Sequence, residues 1–148
     1  MRLLLQVVRK VLWYFRPKFT VGAIIYVTDP DGRVLLVRQR FVGTWGIPGG
    51  FQDVRESAEA AVLRELAEET GLEQVEDLVL VARYQQDGRP HFDSLFRATV
   101  STPAPPVAPA ERMARLEISG AGWFDLTDPA ERPDKLRWET ELALSHLA

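Results

Sequence analysis

Apolar residues recur along the chain in short runs with the composition of β-strands. Residues 19–27 are rich in β-branched and aromatic side chains and predict a first strand, and residues 34–37 predict a second. The Asp-Pro-Asp-Gly sequence between them is typical of a tight turn, so the two strands should form a hairpin. Three later strands are predicted over residues 78–85, 91–100 and 121–126.

Two other segments have the composition and period of helices. Residues 57–70 combine Ala, Leu, Arg and Glu, and a Gly follows them directly, which predicts a helix with a defined end. Residues 134–147 carry leucines on one side and predict a terminal helix. Glycines between residues 43 and 50 predict a loop, and the prolines of residues 102–109 predict an extended connection. The chain is therefore expected to be an α/β protein with helices packed on a mixed sheet.

The first sixteen residues have apolar side chains at helical spacing, interrupted by Arg9 and Lys10. They predict an amphipathic helix that is too short and too charged for a membrane span, which needs about 20 apolar residues. They also lack a clear signal-peptide cleavage site. We therefore divide the chain into an N-terminal helical extension at residues 1–17 and one domain at residues 18–148. Three roles stay open for the extension: a cap on the domain, a homodimer interface, or attachment to a membrane surface.

The composition of the chain restricts the kinds of binding site and metal site that it can contain. The 148 residues fit one domain, and a net charge of −3 does not favour stable binding of nucleic acid. The absence of cysteine excludes disulfides, thiolate zinc sites and cysteine nucleophiles, and suits a cytoplasmic location. The two histidines have no ligand-like spacing. Any metal should therefore be a hard cation bound by oxygen, such as Mg²⁺ or Mn²⁺.

One helix carries a candidate ligand set for such a cation. Glu65, Glu68 and Glu69 stand at positions i, i+3 and i+4, so their carboxylates project from one helix face. Like charges at this spacing repel by a few tenths of a kcal/mol per pair, which a divalent cation would offset. Arg64 can reach Glu68 at i+4. The same pattern also fits an ordinary solvated acidic face, and the three carboxylates alone do not decide between these interpretations.

The surrounding residues favour the metal site. The chain contains, in order, Gly50, Glu56, Arg64, Glu65, Leu66, Glu68, Glu69, Gly71 and Leu72. This spacing resembles the Nudix hydrolase signature G-x5-E-x7-R-E-U-x-E-E-x-G-U, where U is apolar, and every specified position matches. The loop before it, from Trp45 to Gly50, also resembles that family. In all, the resemblance covers roughly residues 19 to 126.

The resemblance implies a Nudix-type α/β/α sandwich around a mixed sheet. It also implies attack of water on a phosphorus of a nucleoside diphosphate linked to another group. The implied metal ligands are Glu65, Glu68, Glu69 and the backbone carbonyl of Gly49. Arg64 would orient the carboxylates, Gly50 belongs to the entering loop, and Glu56 would brace the loop or bind a further ion through water.

The resemblance leaves the general base open. Glu65 and Glu69 are two candidates, and some relatives use a glutamate from a later loop, for which Glu117 and Glu111 are the candidates in this chain. Several relatives carry a second acid where this chain has Gly120, a departure that weakens the assignment to the later loop.

The substrate contacts are predicted from residue type. Arg38 and Arg40 could bind phosphates, or pair with nearby carboxylates, and Trp45 could stack on a base or belong to the core. The predicted function is metal-dependent hydrolysis of a small nucleotide substrate: a nucleoside triphosphate, a nucleotide sugar or ADP-ribose. The alternatives are a non-catalytic nucleotide sensor on the same fold and an RNA 5′-end pyrophosphohydrolase.

Overall fold

Seven strands and two helices form the described part of the chain, which comprises residues 19–86, 88–102 and 117–147 of this computed structural model. The predicted N-terminal helix, most of the proline-rich connection and Glu111 lie outside these residues. In chain order the elements are β1 (Thr20–Thr28), β2 (Val34–Gln39), β3 (Trp45–Gly46), β4 (Gly49–Phe51), α1 (Ala58–Thr70), β5 (Glu76–Gln85), β6 (His91–Thr99), β7 (Ile118–Phe124) and α2 (Trp138–Leu147).

The strands form one mixed sheet in the order β3-β2-β1-β6-β5, with β4 paired to β1 and β7 paired to β2. β1 and β6 are parallel over their full length, and the other pairs are antiparallel. The predicted hairpin of β1 and β2 is confirmed. Its turn is fixed by the Asp29 carboxylate, which accepts hydrogen bonds from the amides of Asp31 and Arg33 at 3.0 and 2.8 Å.

Both faces of the sheet are covered, because β1 is apolar on both sides. Ile25 packs with Val62 and Leu66 of α1 in one buried cluster. Its neighbour Ile24 points to the other face and belongs to a second cluster with Ala143 of α2. The chain is thus an α/β/α sandwich, as the resemblance implied.

The helix that carries the glutamates is bounded as its sequence predicted. The Ser57 hydroxyl caps the first turn by accepting from the Ala60 amide at 3.1 Å. Gly71 adopts a left-handed conformation at the other end, with φ of 73°, and its amide donates to the Ala67 carbonyl at 2.8 Å. Neither described helix is long and apolar enough to cross a membrane.

The glycine-rich stretch predicted to be a loop contains two short strands instead. Gly46 in β3 pairs with Val37, and Gly49 in β4 pairs with Ile24. Gly49 has φ of 150°, and a Cβ on it would collide with the backbone of Ala23 and Ile24. Glycine gives no side-chain periodicity from which a strand could be predicted, but it allows this close approach of two backbones.

The terminal helix begins at Trp138, four residues later than predicted. The preceding segment runs beside β3: the Trp45 amide donates to the Lys135 carbonyl at 3.0 Å, and the Arg137 amide donates to the Trp45 carbonyl at 2.8 Å. These backbone bonds between segments that are distant in sequence compete with the first helical turn. Tertiary pairing therefore overrides the local helical pattern at this point.

Candidate active site

The predicted metal ligands lie at a single cavity of about 680 Å³. Gly49 and Gly50 of β4 form part of its wall, and α1 contributes the four charged residues Arg64, Glu65, Glu68 and Glu69. β4 pairs with β1 while α1 packs on β1, so the sheet holds the strand and the helix in a fixed relation. A cavity of this size can accommodate a nucleotide-sized ligand.

Glu69 is a buried carboxylate rather than part of a solvated acidic face. It is 8% exposed, and its Oε2 accepts a hydrogen bond from the Gly49 amide at 3.0 Å. Burial raises its pKa to about 8, against the opposing effect of the Gly49 hydrogen bond and with a further increase from the Glu65 charge. A carboxyl group whose pKa is raised this far by burial indicates a functional role.

Arg64 joins the entering loop to the glutamates of α1. Its Nε and Nη2 donate to the two oxygens of Glu56 at 2.9 and 3.0 Å, and Nη2 also donates to the Phe51 carbonyl at 3.0 Å. Its Nη1 donates to Glu65 at 3.0 Å and lies 3.4 Å from Glu68. The bidentate pair with Glu56 lowers the pKa of that carboxyl to about 2 and raises the pKa of Arg64.

Glu65 is packed against the entering loop. A Cβ on Gly50 would overlap the Glu65 carboxylate, so the glycine provides the space that this side chain occupies. Burial raises the pKa of Glu65, and the Arg64 hydrogen bond partly offsets that increase. Loop and helix are further tied by Glu56, whose Oε2 accepts from the Asp53 amide at 2.8 Å and whose carbonyl accepts from Gln52.

The donor set fits a hard divalent cation in its chemistry. Glu65, Glu68 and Glu69 offer only oxygen, and all three line one cavity. Within residues 19–86, 88–102 and 117–147, however, no three acidic or histidine side chains converge as a ready-made metal cluster. Arg64 holds Glu65 and Glu68, and the Gly49 amide holds Glu69. Convergence on one cation would therefore require a change in side-chain conformation, with each carboxylate using the lone pairs that these hydrogen bonds leave free.

Glu117 is brought to the same cavity from the position just before β7. Its charge raises the pKa of both Glu65 and Glu69, which places it within electrostatic reach of the predicted ligands. Its backbone is held by the Arg40 amide, which donates to the Glu117 carbonyl at 2.7 Å. The side chain is exposed, so it can approach a bound ligand.

The predicted substrate contacts are placed elsewhere. Arg38, Arg40 and Trp45 are not among the described residues that line the cavity. The side chains of Arg38 and Arg40 lie 3.5 Å from the carbonyls of Gly43 and Ile118, respectively. The Trp45 ring packs edge-on against Phe124 with centroids 4.8 Å apart. In this arrangement the tryptophan packs between strands, and the two arginines cap backbone carbonyls.

The fold brings four further charged residues to the cavity that the sequence did not single out: Asp53, Asp93, Arg137 and Glu139. Asp93 of β6 is 5% exposed, and its Oδ1 lies 3.0 Å from Nε2 of His91. Arg137 and Glu139, on either side of Trp138, reach the cavity from the start of α2. No motif spacing links these positions to α1. The available sequence signal was Asp93, an acid within a predicted strand.

Comparison with known proteins supports the family resemblance that the sequence motif indicated. The profile of the NUDIX domain matches residues 18–145. A Bacillus subtilis (strain 168) protein provisionally named as an 8-oxo-dGTP diphosphatase is 45% identical over 53 residues, covering 36% of each chain. The ADP-ribose pyrophosphatase of Methanocaldococcus jannaschii is 39% identical over 67 residues, covering 43% of this chain and 38% of that protein.

Among solved structures, the MutT NUDIX hydrolase from Burkholderia pseudomallei superimposes with a TM-score of 0.67 and 29% identity. That similarity covers 89% of this chain and 100% of the other. By contrast, the alignments with the Bacillus and Methanocaldococcus proteins span little more than a third of either relative's length.

Proposed function

The chain belongs to the Nudix family, and from this premise we propose that it is a hydrolase of phosphoanhydride bonds in nucleoside diphosphate derivatives, dependent on a divalent cation. The observation that carries the proposal is the buried Glu69, which is fixed to the Gly49 amide at the cavity that Glu65 and Glu68 also line. Burial disfavours the ionised form of this acid. A cation bound in the working enzyme would compensate the negative charge, and this would explain why an acid is buried at the cavity.

The cation would be Mg²⁺ or Mn²⁺, and when bound it would neutralise phosphate charge and increase the acidity of a water molecule. Glu65, Glu68, Glu69 and the Gly49 carbonyl would hold it. Arg64 would position the carboxylates through the contacts that it makes to Glu56 and α1. A rigid strand and helix would limit the motion of these oxygens and keep the reacting groups aligned.

Three glutamates could deprotonate the attacking water. Glu117 is exposed at the cavity and lies outside the α1 hydrogen-bond network, so it can reorient when substrate binds. Glu65 and Glu69 would themselves hold the cation, and they accept hydrogen bonds from Arg64 and Gly49, respectively. We favour Glu117, because a base that does not hold the cation keeps its proton affinity.

The charges of the cavity wall indicate the class of substrate. The cavity wall carries seven carboxylates and two guanidinium groups among its described residues. An anionic substrate would therefore need a bound cation to enter, and a cation held by the α1 glutamates would neutralise the charge of adjacent phosphates. We accordingly propose a small nucleotide with a diphosphate linkage, of which nucleoside triphosphates and ADP-ribose are examples, and a cytoplasmic location, where such nucleotides occur.

The proposal is tested by turnover on a panel of nucleoside triphosphates, nucleotide sugars, ADP-ribose and phosphomonoesters, with Mg²⁺, with Mn²⁺ and with EDTA. We expect hydrolysis of diphosphate-containing compounds only, and only with metal. Glu69→Gln and Glu65→Gln should each reduce turnover roughly 100-fold or more. Glu59→Gln is the matched control, because Glu59 is exposed on the same helix and does not line the cavity.

Hydrolysis in ¹⁸O-labelled water identifies the attacked atom, and label should appear on a phosphate product. Faster turnover of phosphomonoesters than of every diphosphate would contradict the reaction class. Metal-dependent nucleotide binding without turnover would favour a nucleotide sensor instead. Preference for 5′-triphosphorylated RNA over free nucleotides would favour the RNA 5′-end activity.

A further inference from the structure

We propose that the nucleobase of the substrate stacks on the ring of Phe51, on the side of β4 that faces away from the α1 glutamates. This inference rests on the proposed function, which places the phosphates at α1, and it assigns the nucleoside end of the same site. Phe51 lines the cavity together with those glutamates, and it is 64% exposed. A ligand in the cavity can therefore reach the ring.

The side chains of β4 point alternately to the two sides of the sheet. Gly50 faces α1, because a Cβ on it would overlap the Glu65 carboxylate. Phe51 follows it directly and pairs with Gly22, which is itself paired with Asp93 of β6. Side chains of paired residues share one face of a sheet, so Phe51 lies on the side of Asp93, opposite Glu65.

The free edge of β4 lets one ligand contact both of these sides. Among the described residues β4 pairs with β1 alone, so its other edge carries no strand. Gly49 and Gly50 place no side chain there, and both line the cavity together with Phe51. The cavity of about 680 Å³ therefore includes the α1 glutamates and the Phe51 ring, and its volume is in the range that accommodates a nucleotide.

The Phe51 ring is held in place and keeps a free face. Its backbone carbonyl accepts from Nη2 of Arg64 at 3.0 Å, which ties the residue to the hydrogen-bond network of α1. The ring meets that of His91 at 84° with centroids 5.6 Å apart, and an edge-on contact covers at most one ring face. Both nitrogens of His91 have partners, with Thr20 Oγ1 at 2.6 Å and Asp93 Oδ1 at 3.0 Å. The histidine therefore gives the ring a fixed neighbour.

The position of Phe51 distinguishes it from other exposed apolar residues. Exposure of a large apolar side chain is common and does not by itself indicate a binding site. Of the exposed large hydrophobic residues in the part of the chain that the structure describes, however, only Phe51 lines the cavity. Trp45, which the sequence offered as a base-stacking residue, packs against Phe124 instead. Phe51 therefore takes the role that was predicted for the tryptophan.

A nucleobase matches an exposed aromatic ring in a charged cavity. Stacking on an aromatic side chain is open to every base, because each has a flat π face, and it strengthens binding roughly tenfold or more. The base is the neutral end of a nucleotide, so it needs no cation to approach a wall that carries seven carboxylates among its described residues. The phosphates do need the cation proposed at α1. The two ends of the substrate thus match the two sides of β4.

The test measures binding of the α,β-methylene analogues of ADP, GDP and UDP to the full chain with Mg²⁺, by calorimetry. Methylenediphosphonate, which has both phosphorus groups and no nucleoside, is the reference ligand. The wild type should bind at least one nucleotide analogue about tenfold or more tightly than the reference. Phe51→Leu should reduce that ratio about fivefold or more and leave binding of the reference unchanged. Phe51→Tyr should keep the ratio, because it keeps the ring.

The matched control is Phe92→Leu. Phe92 is 43% exposed on β6, packs edge-on against Phe19 and does not line the cavity. This variant should bind all four ligands as the wild type does. Urea unfolding of each variant checks that the fold is retained.

An unchanged ratio in Phe51→Leu, an equal loss in Phe92→Leu, or a loss in Phe51→Tyr as large as in Phe51→Leu would overturn the proposal. An equal loss for methylenediphosphonate and the nucleotides in Phe51→Leu would also overturn it, since Phe51 would then act on the phosphate end through Arg64. No binding of any analogue to the folded wild type has the same consequence. Turnover with a KM that does not depend on Phe51 refutes this inference alone. Analogue binding that depends on the Phe51 ring, without turnover of any nucleotide, refutes only the proposed hydrolysis.

Discussion

The Gly49 amide donates a hydrogen bond to Oε2 of Glu69 across 3.0 Å and links two residues that are twenty positions apart. Gly49 lies on β4 and Glu69 near the end of α1, so this bond joins the strand to the helix at the cavity. It gives the buried carboxylate one fixed partner and leaves its other oxygen for a ligand. The two residues that the family resemblance assigns to the same metal are thus neighbours before any metal binds.

The first prediction concerns Glu69→Gln in metal-free protein. Folding raises the pKa of Glu69 from 4.5 to about 8, so its contribution to stability is complete below pH 4.5 and is lost as the pH rises through 8. The glutamine that replaces it cannot ionise and can still accept from the Gly49 amide. With EDTA, the variant should match the wild type near pH 4.5 and exceed its free energy of unfolding by roughly 1 to 3 kcal/mol at pH 8.5.

Urea unfolding at both pH values measures the difference, and Glu59→Gln should show no such pH dependence. Addition of Mg²⁺ at 100 times its Kd should stabilise the wild type by about 2.7 kcal/mol and the variant much less. A Glu69→Gln protein that is less stable than the wild type at both pH values would contradict the ionisation argument.

The second prediction is that Gly50→Ala impairs activity while the fold survives. The new Cβ would overlap the Glu65 carboxylate, which is the flexible end of a side chain and can move aside. We expect kcat/KM to fall roughly tenfold or more, with the free energy of unfolding changed by about 1 kcal/mol or less. Gly120→Ala is the control, since its Cβ would meet only the Trp45 ring, at 3.8 Å. Similar activity in the two variants would show that the position of Glu65 is not critical.

The third prediction concerns the ion pair of Glu56 and Arg64. Folding lowers the pKa of Glu56 from 4.5 to about 2, so its contribution to stability is present above pH 4.5 and is lost as the pH falls through 2. Glu56→Gln should therefore lower the urea midpoint at pH 7, and the deficit should shrink between pH 4.5 and 2. Equilibrium unfolding across this range measures it. If the decrease in the urea midpoint does not change with pH, the lost stability comes from packing rather than from charge.

The fourth prediction concerns residues 1–16, for which the sequence predicts an amphipathic helix. None of the proposed ligands precedes residue 18, so a chain that starts at Pro17 should retain kcat/KM within about twofold. The sequence gives the extension an apolar face, so its removal should change solubility or association state. Turnover and sedimentation of the two chains provide the comparison. Folded but inactive truncated protein would show that the extension contributes to the site, for example across a homodimer interface.

Features that depend only on residues close in sequence could be predicted in detail. The limits of α1 follow from Ser57, the run of helix-forming residues and Gly71, all of which act within a few positions. The i, i+3, i+4 spacing places Glu65, Glu68 and Glu69 on one side of a helix whatever the helix packs against. The hairpin of β1 and β2 follows in the same way from its turn residues.

Features that depend on distant contacts were not predictable. The burial of Glu69 requires β4 to lie beside α1, and β4 forms only because its glycines pair with β1. Arg137 and Glu139 meet the cavity because residues 135–137 pair with Trp45, about ninety positions earlier. The residue pattern of one segment does not show which other segment will provide the hydrogen-bond partners of its backbone groups. That choice is made by the packing of the whole sheet, and it brings the start of α2 to the glutamates of α1.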